Sequence, residues 1–309
     1  MNLPEDSHSK PRLSTRPKAW KSPYKFYILL GGLALITALV VCVSKVFIPP
    51  PEAYLSPVRI VSTPSSSAPD DLKFAEQVRN LLEINGGCEL PCWLGMRAGK
   101  TNLEDIFKKY ELELDITPKK NSSTDYDLVL SDDVHGLRVL QSVYVEPAFS
   151  AGDDRITRFA ANVIAWQRSS GSYYARVMRG FLPPSVLNKL GIPDQIWVEV
   201  YPYEPDLYTG KPYYELSLYY FEYGTHIIYR GDLVDRGNRL LLCPSRGVAF
   251  SIVQWWPESR VSTETLIEHP PVSGIPLEQA AGIDITKFYE LFKESDSQAC
   301  LETPAEMWK

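Results

Sequence analysis

The stretch Tyr213–Gly231, YYELSLYYFEYGTHIIYRG, decides the fold. Its aromatic and β-branched residues favour extended backbone, and Tyr223-Gly224 interrupts them as a tight turn should, so the stretch reads as a hairpin. Just upstream, IWVEVYP places Ile196, Val198 and Val200 on alternate positions, the pattern of a strand buried on one face. Working outward, YDLVLS, LRVLQSVYVEP, RITRFAANVIAWQ and YYARVM read as further strands between residues 126 and 178, and GVAFSIVQWWP adds one more. The breaks between the earlier strands, DDVHG, SAGDD and SSGS, are polar and glycine-bearing. Connections of hairpin length favour antiparallel pairing over a doubly wound sheet.

Helical spacing punctuates this pattern. DLKFAEQVRNLLEINGG puts Phe74, Val78, Leu81 and Leu82 on one face and stops at Gly86. LPPSVLNKLGIPD groups Val186, Leu187 and Leu190, with Gly191 as its cap and Pro193 just beyond. PLEQAAGIDITKFYELF carries Ile285, Phe288, Tyr289 and Phe292, with Asp284 at the N-cap position. The expected class is α+β, antiparallel sheets with short packing helices. A helix followed by strands occurs from Thr101 to Trp166 and again from Pro184 to Trp256, which implies a duplicated unit with halves at 71–180 and 181–309.

Before this domain the composition changes. Phe26–Val43, FYILLGGLALITALVVCV, is free of charge and continues to residue 48, enough for a transmembrane helix. Lys10, Arg12, Arg16, Lys18, Lys21 and Lys25 precede it, so residues 1–25 form a cytoplasmic basic tail and the chain after the anchor at 26–48 stands outside. A cleaved signal peptide fits less well because the apolar run is long and VSKVFIPP lacks a small-residue cleavage site. Lipidation at Cys42 is disfavoured by the bulky valine before it. Residues 49–70, rich in proline and serine, form a tether, and the extracytoplasmic domain occupies 71–309.

The tail contributes six positive and two negative groups and Lys45 one more positive, so the chain's net charge of −6 leaves about −11 for the outer part. An acidic surface repels phosphate backbones, which argues against nucleic acid as a partner. Cys42 lies in the anchor; the four outer cysteines, Cys88, Cys92, Cys243 and Cys300, form an even set in an oxidising compartment. Three pairings are open to them. Cys88 with Cys92 and Cys243 with Cys300 is favoured, since the first closes locally around Pro91 and the second staples the carboxy-terminal segment.

CELPCWLGMRAGKTNLED, Cys88–Asp105, approaches a phosphate-binding loop, but only three residues separate Gly95 from Gly99 where four are needed. Thr101 and Glu104 read better as a capping box opening a helix through Leu103, Ile106, Phe107 and Tyr110. A C-x-x-x-C spacing is a poor redox motif, and His135, His226 and His269 do not cluster with the cysteines as a zinc site requires. No hydrolase elbow or metalloprotease motif is present in the sequence. Asp132-Asp133 and Asp153-Asp154 fall in turn-like breaks, and Arg230-Gly231-Asp232 reads as a turn after a strand. No catalytic, cofactor-binding or metal-ligating residues are assigned. Among the 18 tyrosines, Tyr201, Tyr203, Tyr208, Tyr213 and Tyr214 lie in or beside a proline- and glycine-bearing loop and are the candidates for a ligand surface.

Four stretches together carry a family likeness: CELPCWLGMRAGKT, SVLNKLGIPD, LLLCPS and PLEQAAGIDITKFYELF with ACLETPAEMW. They resemble an uncharacterised family of membrane- or lipid-anchored bacterial surface proteins, a likeness that spans residues 75–308 and implies no known activity. LNKLGIPDQIWVEV is also similar to the small lipoprotein docking domain of outer-membrane assembly machinery, which implies a docking role by analogy of fold. The expected function is a membrane-anchored binding or assembly module for a protein or a cell-envelope polymer, without a cofactor. A hydrolase using acidic residues and a thiol oxidoreductase remain the alternatives.

Overall fold

The computed structural model describes residues 68–114, 116, 119–121, 125–132, 134, 137–145, 155–165, 171–206, 210–256, 274–294 and 299–308. The predicted tail, anchor and most of the tether lie outside them, as do Tyr208, His135, His269, Asp133, Asp153 and Asp154. Among the described residues, no helix is long and apolar enough to cross a membrane. Ser65–Lys309 form one compact unit.

The architecture is α+β and mostly antiparallel sheet. Two helices open it, α1 (Ala68–Glu83) and α2 (Leu103–Leu114), followed by strands β1 (Lys119–Lys120), β2 (Asp125–Asp132), β3 (Leu137–Val145) and β4 (Ile156–Ala165). Next come α3 (Gly171–Val177) and α4 (Pro183–Leu190), then β5 (Gln195–Pro205), β6 (Pro212–Tyr220), β7 (Thr225–Asp232), β8 (Val234–Asp235), β9 (Arg239–Leu242) and β10 (Ala249–Trp255). The chain closes with β11 (Ile275–Pro276), α5 (Leu277–Ala281), α6 (Ile285–Phe292) and β12 (Leu301–Pro304). The main sheet runs β1-β2-β3-β4-β10-β7-β6-β5-β11, and β12-β9-β8 form a second, small sheet. Two antiparallel meanders thus meet along β4 and β10, each preceded by a helix pair.

The two faces of the large sheet differ, as the strand period of two requires. One cross-strand row runs Leu130, Val139, Val163, Phe250, Tyr229, Leu216 and Val198. All seven are buried and belong to the apolar core, where they meet Val78, Leu82 and Ile106 of the helices. The neighbouring row on the opposite face runs Val129, Leu140, Asn162, Ser251, Ile228, Ser217 and Trp197; only Ser217 is buried and none belongs to that core.

Several expectations are corrected. YYARVM is not a strand: Tyr173, Tyr174 and Val177 are buried at helical spacing on α3, whose i, i+1, i+4 pattern a six-residue window confuses with a short apolar run. The first helix begins at Ala68, inside the predicted tether. The helix expected from the Asp284 cap is present, Asp284 accepting from the Lys287 amide at 2.6 Å, and a short helix not read from the sequence precedes it, ended by Gly282 in a left-handed conformation (φ 68°). The Tyr223-Gly224 hairpin turns through four residues, Phe221–Gly224, closed by the Gly224 amide on the Phe221 carbonyl.

Candidate functional site

The segment between α1 and α2 shows what the near-miss phosphate loop is for. Asn85 is buried and its amide group organises the turn: Nδ2 donates to the carbonyls of Cys88 (3.0 Å) and Cys92 (2.7 Å), and Oδ1 accepts from the Leu94 amide (2.7 Å). Cys88 and Cys92 are joined by a disulfide, and the Leu90–Pro91 peptide bond is cis. Gly86 sits against the backbone of Leu94, where a β-carbon would come within 2.4 Å of a carbonyl carbon; Gly99 sits against the Trp256 ring in the same way. Both glycines are required by close approach rather than by an anion.

A phosphate cradle needs free amide hydrogens. From Cys92 to Thr101 every backbone N–H already has an acceptor: Glu89 O for Cys92, Met96 O for Trp93, Asn85 Oδ1 for Leu94, Cys88 Sγ for Gly95 and Trp93 O for Met96. Arg97 donates to Thr101 Oγ1, Ala98 to Gln254 Oε1, Gly99 to Ile156 O, and Lys100 and Thr101 to Arg97 O. The loop is therefore a packing device. Thr101 closes it, and the cap of α2 falls to Asn102, whose Oδ1 accepts from the Glu104 amide at 2.8 Å. The expected Thr101–Glu104 capping box is displaced by one residue because the threonine hydroxyl is already engaged.

The tyrosine candidates separate. Tyr214 is fully buried on the helix-covered face and leaves the ligand-surface set. Tyr201 and Tyr213, on adjacent strands, stack with ring centroids 4.4 Å apart. The Tyr201 hydroxyl donates to Glu199 Oε2 at 2.7 Å, and the Arg230 guanidinium lies over the Tyr213 ring at 5.0 Å. Tyr203 is 76% exposed. Arg230 also pairs with Glu215 and, at 3.3 Å, with the buried Asp206. Burial opposes its charge, but Glu215 and Asp206 more than offset this and raise its pKa. The sequence reading missed this network, although Glu215 and Arg230 are directly opposed in register, a cross-strand charge pair that the hairpin alone could have suggested. Arg230-Gly231-Asp232 accordingly belongs to β7 rather than to a turn. Its arginine is committed to two carboxylates, and Asp232 pairs with Lys211.

Between these charges and Trp255, the face opposite the core, on which no helix lies among the described residues, presents half-buried Leu140, Ala160, Val253, Ile228 and Trp197 around Asn162 and Ser251, whose side-chain oxygens share a 2.5 Å hydrogen bond. Arg158 lies over the Trp255 ring at 5.3 Å. The result is a broad surface of small and apolar residues rimmed by aromatic and charged ones. A separate open crevice of about 410 Å³ lies between α5 and the small sheet, lined by Asn238, Arg239, Gln279, Gly282, Glu302 and Glu306. Arg239 and Glu302 bridge it at 2.5 Å.

His226 lies on this face near the start of β7, opposite Tyr219 and Val253. Its ring stacks on Tyr219 at 4.1 Å, Nε2 is sealed from solvent without a hydrogen-bond partner, and burial pushes its pKa down to about 3. A general base at neutral pH needs a value near the working pH, so His226 is a packed residue. The folded value lies below the unfolded value of about 6.5, so its contribution to stability is complete above that pH and lost as pH falls toward 3. The slope is at most about 1.4 kcal/mol per pH unit, reduced by the ring's partial exposure. Urea unfolding at pH 7 and pH 4.5 should show the wild type losing about 1–2 kcal/mol more than His226→Phe, which keeps the stack; equal losses would contradict the assignment.

Cys243 and Cys300 form the second disulfide, as expected, 57 residues apart in sequence. No protein-family model, curated protein or solved structure matches the chain.

Proposed function

We propose that this protein is a single-pass, membrane-tethered binding or assembly module whose outer domain docks a protein or cell-envelope polymer on the face of its sheet opposite the core. That face carries the reading. It offers a half-buried surface around Trp197, Ile228 and Val253 while the opposite face of the central strands is packed into the core. Strands buried on both sides would have read as continuous apolar runs; here polar and small residues alternate with the core positions. The apolar run at 26–43 with lysines and arginines before it supports an anchor with the amino terminus inside. Two disulfides support an oxidising compartment for the domain. The similarity of LNKLGIPDQIWVEV to a small lipoprotein docking domain supports a docking role by analogy of fold.

The alternative of an acidic hydrolase draws on Glu199 and Glu215, which are cross-strand partners beside the tyrosine stack. Both, however, have structural work, Glu199 with the Tyr201 hydroxyl and Glu215 with Arg230, so we favour binding. Capture of cross-linked partners from intact membranes tests it. Wild type should enrich a specific protein or polymer, and Trp197→Ala with Ile228→Lys should reduce recovery at least tenfold while the domain stays folded by circular dichroism. Equal recovery by wild type and variant would defeat the docking face.

A further inference from the structure

We propose that Cys88–Cys92 is an exchangeable disulfide, a redox site for dithiols or disulfides of other extracytoplasmic proteins, with Cys88 as the sulfur that reacts. The two cysteines are unequal. Cys88 is partly exposed, whereas Cys92 is 6% exposed, so an incoming thiolate reaches Cys88 first. The Gly95 amide donates to Cys88 Sγ at 3.1 Å, an interaction that strengthens when the sulfur carries charge. The Asn85 carbonyl oxygen also lies 3.1 Å from the same sulfur and accepts the proton of a neutral thiol. Both protonation states of a reduced Cys88 are thus provided with a partner. The Lys109 ammonium, which donates to the Gly86 carbonyl at 2.6 Å, lies beside Gly95 and adds positive potential near the sulfur.

The loop does not depend on the S–S bond for its shape. Asn85 holds the Cys88 and Cys92 carbonyls, Trp93 and Met96 exchange two backbone hydrogen bonds at 2.8 Å, and the Trp93 ring is fully buried. Reduction therefore leaves the fold standing. The other bridge also pairs a buried cysteine, Cys243, with a partly exposed one, Cys300, and differs in its structural role, since it ties the small sheet to the carboxy-terminal segment across 57 residues.

In the exchange, one thiolate of a dithiol attacks Cys88 Sγ, the Cys88–Cys92 bond breaks, and its electron pair leaves on Cys92 Sγ, which takes a proton. The second thiolate then attacks the dithiol's own sulfur in the mixed disulfide and releases Cys88 as a thiolate. The dithiol ends as a disulfide and the protein as two thiols. In reverse, the Cys88 thiolate attacks a partner's disulfide and Cys92 resolves the mixed species.

The test uses the full chain in detergent with glutathione redox buffers, alkylation and peptide mass spectrometry. Cys88 and Cys92 should become alkylated under mild reduction while Cys243–Cys300 stays closed and the circular dichroism is unchanged. In Cys92→Ser, oxidised glutathione should leave glutathione on Cys88. Opening of both bridges only together with unfolding would overturn the proposal. So would a Cys88 that takes no glutathione.

Discussion

Replacing Trp93 with alanine should destabilise the folded domain by about 3–5 kcal/mol, the largest effect expected of any single substitution here. Trp93 is fully buried, 4.8 Å from Phe181 and 5.8 Å from Phe250 between ring centroids, and Phe250 in turn meets Tyr229 at 5.8 Å. These rings join the disulfide loop, the segment before α4 and the two central strands β10 and β7. Alanine would leave a cavity that rigid β-strands cannot close. Trp93→Phe separates volume from polarity. Trp93 Nε1 is buried without a hydrogen-bond partner, so phenylalanine removes an unsatisfied donor along with some volume and should cost less than half as much. Urea unfolding measures both; a loss below about 1 kcal/mol for Trp93→Ala would mean the ring cluster does not join these elements.

The second large effect should follow from opening Cys243–Cys300 by the double substitution Cys243→Ala with Cys300→Ala. The bridge closes a loop of 57 residues, and loop-closure entropy for that length is worth about 4 kcal/mol. For a domain of this size that corresponds to a thermal midpoint lower by about 8–16 °C. The loss should be local in origin. Leu301 on β12 pairs with Leu242 on β9 and both are buried in the core, so the unbridged segment would fray first, with β12 amides exchanging before those of β6 or β7. An unchanged midpoint would show that α5, α6 and β12 hold their places by packing alone.

Much of this fold was legible because its strands are long and alternate. Ile196 and Val198 face the core as their spacing requires, and the pairing of β6 with β7 follows from one glycine-bearing turn. Both disulfides were favoured from loop lengths and the carboxy-terminal position of Cys300. What failed were short windows and shared side chains. The α3 helix was hidden because six residues with two tyrosines and a valine satisfy either period. The cap of α2 moved to Asn102 because the Thr101 hydroxyl serves a long-range loop, which no local motif encodes. Tyr214 was grouped with its neighbours as a surface residue although, next to Tyr213 on a strand, it must face the other way. The face opposite the core is itself spread over seven strands, so no contiguous stretch of sequence displays it.

The docking face is best tested by a photo-crosslinking amino acid placed singly at Ile228, in the centre of that face, and at Leu112, 77% exposed on α2. Both proteins would be expressed in intact membranes and irradiated. The account predicts a discrete adduct, with a protein or a polymer, from position 228 and none from position 112. Adducts from Leu112 alone, or none from Ile228 while the domain remains folded, would contradict it.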